Sequence, residues 1–241
     1  METLSPPPEV TPDDSSRQNL AAELKAMLPQ EKSSEPGRVV AMLQQFGAEQ
    51  HVLCSMGSIE VIGLGQPEQM EALALAAQSA LDRLQAQFNG QLEVAFPGLK
   101  IFFADGVIDG GGEALANENA IIMDASKAMM SVGEVEDLLV EAGELNPGDW
   151  TTIVGREISY GEITIVHEMG HMLEARAHGE EGVAFAALPL DGAATKYGRK
   201  AHNEDYAEAF FQDAYGLGVD AERKAILDRD VSSVLLPGGP D

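Results

Sequence analysis

The chain carries a single cysteine, Cys54, among its 241 residues. One thiol excludes an intramolecular disulfide framework and cannot by itself build a cysteine-rich zinc site. Its setting in the apolar segment VLCSM predicts a place in the core. Long apolar runs are missing too, so no segment approaches the length needed to cross a membrane as a helix. Basic residues are few: 15 Lys and Arg stand against 40 Asp and Glu, a formal charge of −25. Such a field repels phosphate backbones and anionic lipid surfaces. It argues against nucleic acid as a partner and, in its sharper form, favours a basic peptide or protein. The opening METLSPPPEVTPDD has acidic and proline residues where an export signal needs positive charge and then an apolar stretch. The expected address is therefore the cytoplasm, or one reached by a leaderless route. No internal repeat is visible.

What is present is an ordinary globular composition, 44% apolar and 23% charged, with length enough for one core and a small extension. Residues 1 to about 15 are rich in Pro, Ser, Asp and Glu and read as a disordered arm. Leu20, Leu24 and Leu28 then recur near helical spacing until SSEPG breaks the pattern, and a second short helix follows. Residues 1–37 are thus expected to be an arm with a short helix, and 38–241 one catalytic domain. Gln50 to Leu64 predicts one or two short strands around Gly57 and Gly63. Met70, Leu73, Ala77, Leu81, Leu84 and Phe88 define the buried stripe of a long helix. Leu99 to Ala104 and Ala120 to Met123 read as buried strands of one sheet. Between them, DGVIDGGGEA has the look of an ion-binding loop but lacks the ligand spacing of a calcium loop and the Lys-Ser/Thr of a phosphate loop. A helix is expected near Val132 to Leu145, and Trp150 to Val154 is read as a further strand. The fold class is α+β, with a small mixed sheet packed on two helices described next.

The segment ISYGEITIVHEMGHMLEARAHGEEG contains His167, Glu168 and His171 as HExxH within a helical pattern of Ile163, Val166, Gly170 and Leu173. Four residues advance an α-helix by about 400°, so the two imidazoles share a face and can reach one zinc ion. Glu168, beside the first ligand, can reach a water there and act as the base. A third protein ligand is needed. Glu174 and His178 lie roughly 4.5 and 10 Å further along the axis than His171, too far for a rigid helix to bring back. The HExxHxxGxxH arrangement is disfavoured as well, since Glu174 stands at its glycine and Ala177 at its third histidine. A carboxylate from a second helix answers better. AHNEDYAEAFFQDAYG supplies Glu204 at its start, with Asn203 as cap, and Glu208 one turn later. One of the two can ligate while the other accepts the outer N–H of a ligating histidine, and either assignment is open on position alone.

HEMGH followed by YGRKAHNEDYAEAF resembles the lethal-factor-like zinc metallopeptidases, in which HExxH precedes a tyrosine-bearing loop and an ExxAEAF helix. The resemblance covers roughly residues 160–215. It implies a zincin-like domain holding one zinc ion with Glu204 as third ligand, which leaves Glu208, by its position one turn later, to accept the outer N–H of a ligating histidine. It also implies that Tyr197, seven residues before Glu204, steadies the oxyanion of a tetrahedral intermediate. The function expected is zinc-dependent endopeptidase on peptide or protein substrates. A zinc-retaining binding module for a basic partner, and a hydrolase of a non-peptide amide, are the alternatives.

Overall fold

A computed structural model of the chain describes residues 22–26, 38–46, 50–64, 67–108 and 110–236, together with Asn19. The arm expected over residues 1 to about 15 and the SSEPG break lie outside the described residues. Residues 22–26 are helical, as the leucine spacing predicts, and Leu24 is fully buried.

The protein is α+β. After helix α1 (Arg38–Phe46), strands β1 (Gln50–Met56) and β2 (Ile59–Leu64) form an antiparallel hairpin. Its turn needs Gly57, which sits at φ 59°, a conformation costly for residues with a side chain. The long helix α2 (Pro67–Gln87) and the short α3 (Leu92–Ala95) lead to β3 (Lys100–Ala104). Strands β4 (Gly112–Leu115) and β5 (Ala120–Met123) complete a five-stranded mixed sheet in the order β1-β2-β3-β5-β4, with the β2-β3 and β3-β5 pairs parallel and β4 antiparallel at one edge.

Both sheet faces are covered, which explains the unbroken apolar runs in β3 and β5. Ile101, Phe103, Ile121 and Met123 point into the larger core with Leu73, Leu81 and Leu84 of α2. Phe102, Ala104, Ala120 and Ile122 point the other way, against Leu24, Val39 and Leu43. This is the period-two alternation of a strand. Cys54 is half-buried on the edge strand β1 and packs beside the core rather than within it.

The remaining elements are helical: α4 (Ala125–Ala128), α5 (Val132–Glu141), α6 (Thr151–Val154), α7 (Tyr160–His178), α8 (His202–Ala214) and α9 (Ala221–Leu235). Among the described residues, no helix is long and apolar enough to cross a membrane. Three expectations are corrected. Trp150 to Val154 is not a strand, because the buried Glu136 carboxylate accepts the backbone N–H groups of Trp150 (2.7 Å) and Thr151 (2.8 Å) and so starts a helical turn there. The helix from Val132 ends at Glu141 rather than Leu145, before the positive-φ Gly143. Asn203 is not a cap: α8 begins one residue earlier with Ala201 at the N-cap position, and no side chain caps it.

Candidate metal centre

Helix α7 is the spine of the site. Ser159 caps it by accepting the Gly161 N–H, and Gly179, at φ 81°, ends it in the left-handed conformation. Its residues from Gly161 to Glu174 are buried apart from the half-buried His167, so it runs through the middle of the protein instead of lying on the surface. Ile163, Val166 and Leu173 belong to the larger core. Gly170 has a different task. A Cβ there would come within 2.8 Å of the Ala207 Cα, so α7 and α8 lie too close at this glycine for any side chain. A glycine inside a helix costs about 1 kcal/mol relative to alanine; here it lets the second helix lie against the two histidines.

That approach brings Glu204 to them. Its Oε2 lies 3.3 Å from His167 Nε2 and 3.7 Å from His171 Nε2. The three ligand atoms all fall within 4.8 Å of one another, a group able to hold a metal ion. Glu204 Oε2 is buried and has no hydrogen-bond partner. Ligand atoms about 2.0–2.1 Å from a tetrahedral ion are separated by roughly 3.3 Å, close to the spacings found. A buried oxygen with no hydrogen-bond partner, facing two imidazole nitrogens at that spacing, fits a shared cation.

Electrostatics point the same way. Burial opposes a charged His167, yet the neighbouring Glu204 and Glu208 outweigh it and hold its pKa well above the ordinary value. His171 is raised too, against burial, chiefly by Glu204. Glu204, despite burial, is held far below the ordinary carboxylate range by the two histidines. The carboxylates at this group therefore favour positive charge on its imidazoles.

Glu208 stands on the other side of His167. Its Oε1 is 3.2 Å from His167 Nδ1, and its Oε2 accepts the Trp150 Nε1–H at 3.3 Å. Glu204 thus faces the Nε2 atoms, and Glu208 faces the Nδ1 side of His167. Glu174 and His178 are elsewhere. Glu174 is fully buried and accepts the Ala184 N–H at 2.9 Å, while His178 meets Asp230 at 2.9 Å.

Glu168 lies buried beside the three ligands. Burial raises its pKa, opposed by His171, His167 and a hydrogen bond from the Ala114 N–H of β4. The glycine-rich loop explains how a strand gets so near. A Cβ on Gly112 would meet Thr164 Cγ2 at 2.7 Å and Glu168 Cγ at 2.9 Å, so only glycine lets the edge strand lie against the carboxylate. The run of glycines in the sequence signalled this close approach, which was not read from it.

Tyr197 comes to the same place. Its ring is 5.9 Å from that of His167, edge to face, and Lys200 Nζ lies over it, 4.0 Å from the ring centroid. Burial, then Glu204, push the phenol far above its ordinary pKa, which keeps it a neutral O–H donor. Beside the centre opens a cavity of about 530 Å³, lined on its apolar side by Met130, Val135, Leu139 and Trp150 and reached by His167, Glu168, Tyr197 and Glu208. Tyr160, its ring tilted 33° to that of Trp150 at 5.9 Å, also lines it, its hydroxyl pushed up to about 12 by burial.

Comparisons with family models, with curated proteins and with solved structures found no match.

Proposed function

We propose that the protein is a zinc-dependent endopeptidase of zincin-like architecture, the reading implied by its resemblance to the lethal-factor-like enzymes. The observation that carries it is the position of Glu168, buried between a three-ligand group and the edge strand β4. Two imidazoles and one carboxylate form a donor set suited to a catalytic zinc that keeps an open position. When bound, the ion polarises a carbonyl and makes a water more acidic.

The chain's own residues do the rest. His167 and His171 offer their Nε2 lone pairs and Glu204 its Oε2. Glu208 accepts at His167 Nδ1 and so keeps the proton on that nitrogen and the lone pair on the other. Glu168 takes a proton from the attacking water and returns it to the leaving amine. Tyr197 donates its hydroxyl hydrogen to the developing oxyanion. β4 is the end strand of the sheet, and its outer edge suits an extended peptide backbone, which adds to such an edge whatever its side chains. The excess of carboxylates favours a basic peptide.

Metal removal tests this reading. Purified protein should contain close to one zinc per chain and cleave members of an unbiased peptide library. Chelation should stop cleavage, and one equivalent of zinc should restore it. Undiminished cleavage by protein stripped of all metal would sink the proposal.

Gly112→Ala offers a finer test. The added methyl displaces Glu168 without touching a ligand, and misplacing a catalytic group by about 1 Å costs on the order of 10²-fold in rate. Turnover should fall by roughly that factor while zinc content, read by atomic emission, stays at the wild-type level.

A further inference from the structure

Glu181 lies in the loop that follows α7, outside both sequence motifs. We infer that it is a positioning residue for His171, the counterpart of Glu208 behind His167. The inference rests on the metal-centre reading above.

His171 Nδ1 is buried and has no hydrogen-bond partner. A buried ring N–H needs an acceptor, so an unsatisfied one at a ligand calls for an explanation. The nearest carboxylate is that of Glu181, whose Oε2 is 3.5 Å away. The same oxygen accepts a long hydrogen bond from Asn203 Nδ2, also 3.5 Å, and Asn203 immediately precedes Glu204. One carboxylate thus bridges the back of one ligand and the residue beside another.

Its loop is held from below. Glu174, fully buried one turn after His171, accepts the backbone N–H groups of Gly182 and Ala184. Gly182 takes φ 79°, a turn that glycine makes without strain. This accounts for a buried carboxylate too far along the helix to ligate: it ties the loop down so that Glu181 faces the site.

The two histidines are then treated alike. Each presents Nε2 to Glu204 and Nδ1 to a carboxylate from a different element, Glu208 of α8 for His167 and Glu181 for His171. A carboxylate behind a ligating imidazole fixes its tautomer and makes it a stronger donor, and its loss typically weakens metal binding by about 10–100-fold.

The experiment is zinc affinity by competition with a chromophoric chelator, in full-length protein. Glu181→Ala should bind zinc about 10–100-fold more weakly than wild type, and Glu181→Gln, which keeps an acceptor, should recover part of the loss. Glu180→Ala removes an equal charge from the exposed neighbouring position and should bind as wild type does. The zinc-free protein should unfold in one cooperative step with the same helix content in all four, which separates positioning from loss of the fold. If wild type and Glu181→Ala hold zinc equally, or Glu180→Ala loses as much as Glu181→Ala, the role of Glu181 falls and the metal centre stands. If wild type holds no zinc, both fall.

Discussion

Glu168→Gln is expected to retain zinc and lose peptide cleavage by about 10²–10⁴-fold, the usual contribution of a positioned general base. The substitution keeps the shape that packs against Gly112 and Thr164, and Gln can still accept the Ala114 N–H, so the fold around it should persist. Only the capacity to take a proton is removed. Because Glu168 is not among the three ligand atoms, metal content should not change. The check is a pair of measurements on one preparation, zinc per chain and kcat on a cleaved library peptide. Cleavage at the wild-type rate would remove Glu168 from the mechanism.

Glu204→Ala should have the opposite signature, with metal lost first and cleavage only as a consequence. It deletes the one carboxylate oxygen that faces both Nε2 atoms. Losing a ligand should weaken zinc by more than the roughly 10–100-fold typical of an outer partner. Glu208→Ala serves as the comparison, since it removes a group behind His167 and leaves all three ligand atoms in place. Zinc affinity should therefore order as wild type, then Glu208→Ala, then Glu204→Ala, in a chelator competition. The reverse order would exchange the roles of the two glutamates.

The elements that sequence described well are those with a sustained period. The stripe from Met70 to Leu84 lies on α2, with Phe88 one residue past its end, and the apolar runs at Leu99 to Ala104 and Ala120 to Met123 contain β3 and β5. Short elements went unread or were misread, because four residues carry too little pattern to outweigh their surroundings. Thr151–Val154 has the β-branched look of a strand, yet a distant buried carboxylate, Glu136, makes it a helical turn. Gly112–Leu115 was hidden in a glycine-rich stretch that resembles a loop, since strands seldom tolerate glycine unless something must come close. Here that something is Glu168.

HExxH by itself determined that two imidazoles and a carboxylate share one stretch of helix, because helical geometry is local and a spacing of four residues suffices to set it. Which carboxylate completes the group was beyond any local rule: Glu204 and Glu208 lie one turn apart on the same helix, and their order in the chain does not say which faces an Nε2 and which an Nδ1. That was decided by the close approach of Gly170 to Ala207, an event between two separate helices. The same holds for Glu181, which no motif marks. It reaches His171 only because a buried glutamate one turn after that histidine ties its loop down, and a contact of that kind exists only once the chain has folded.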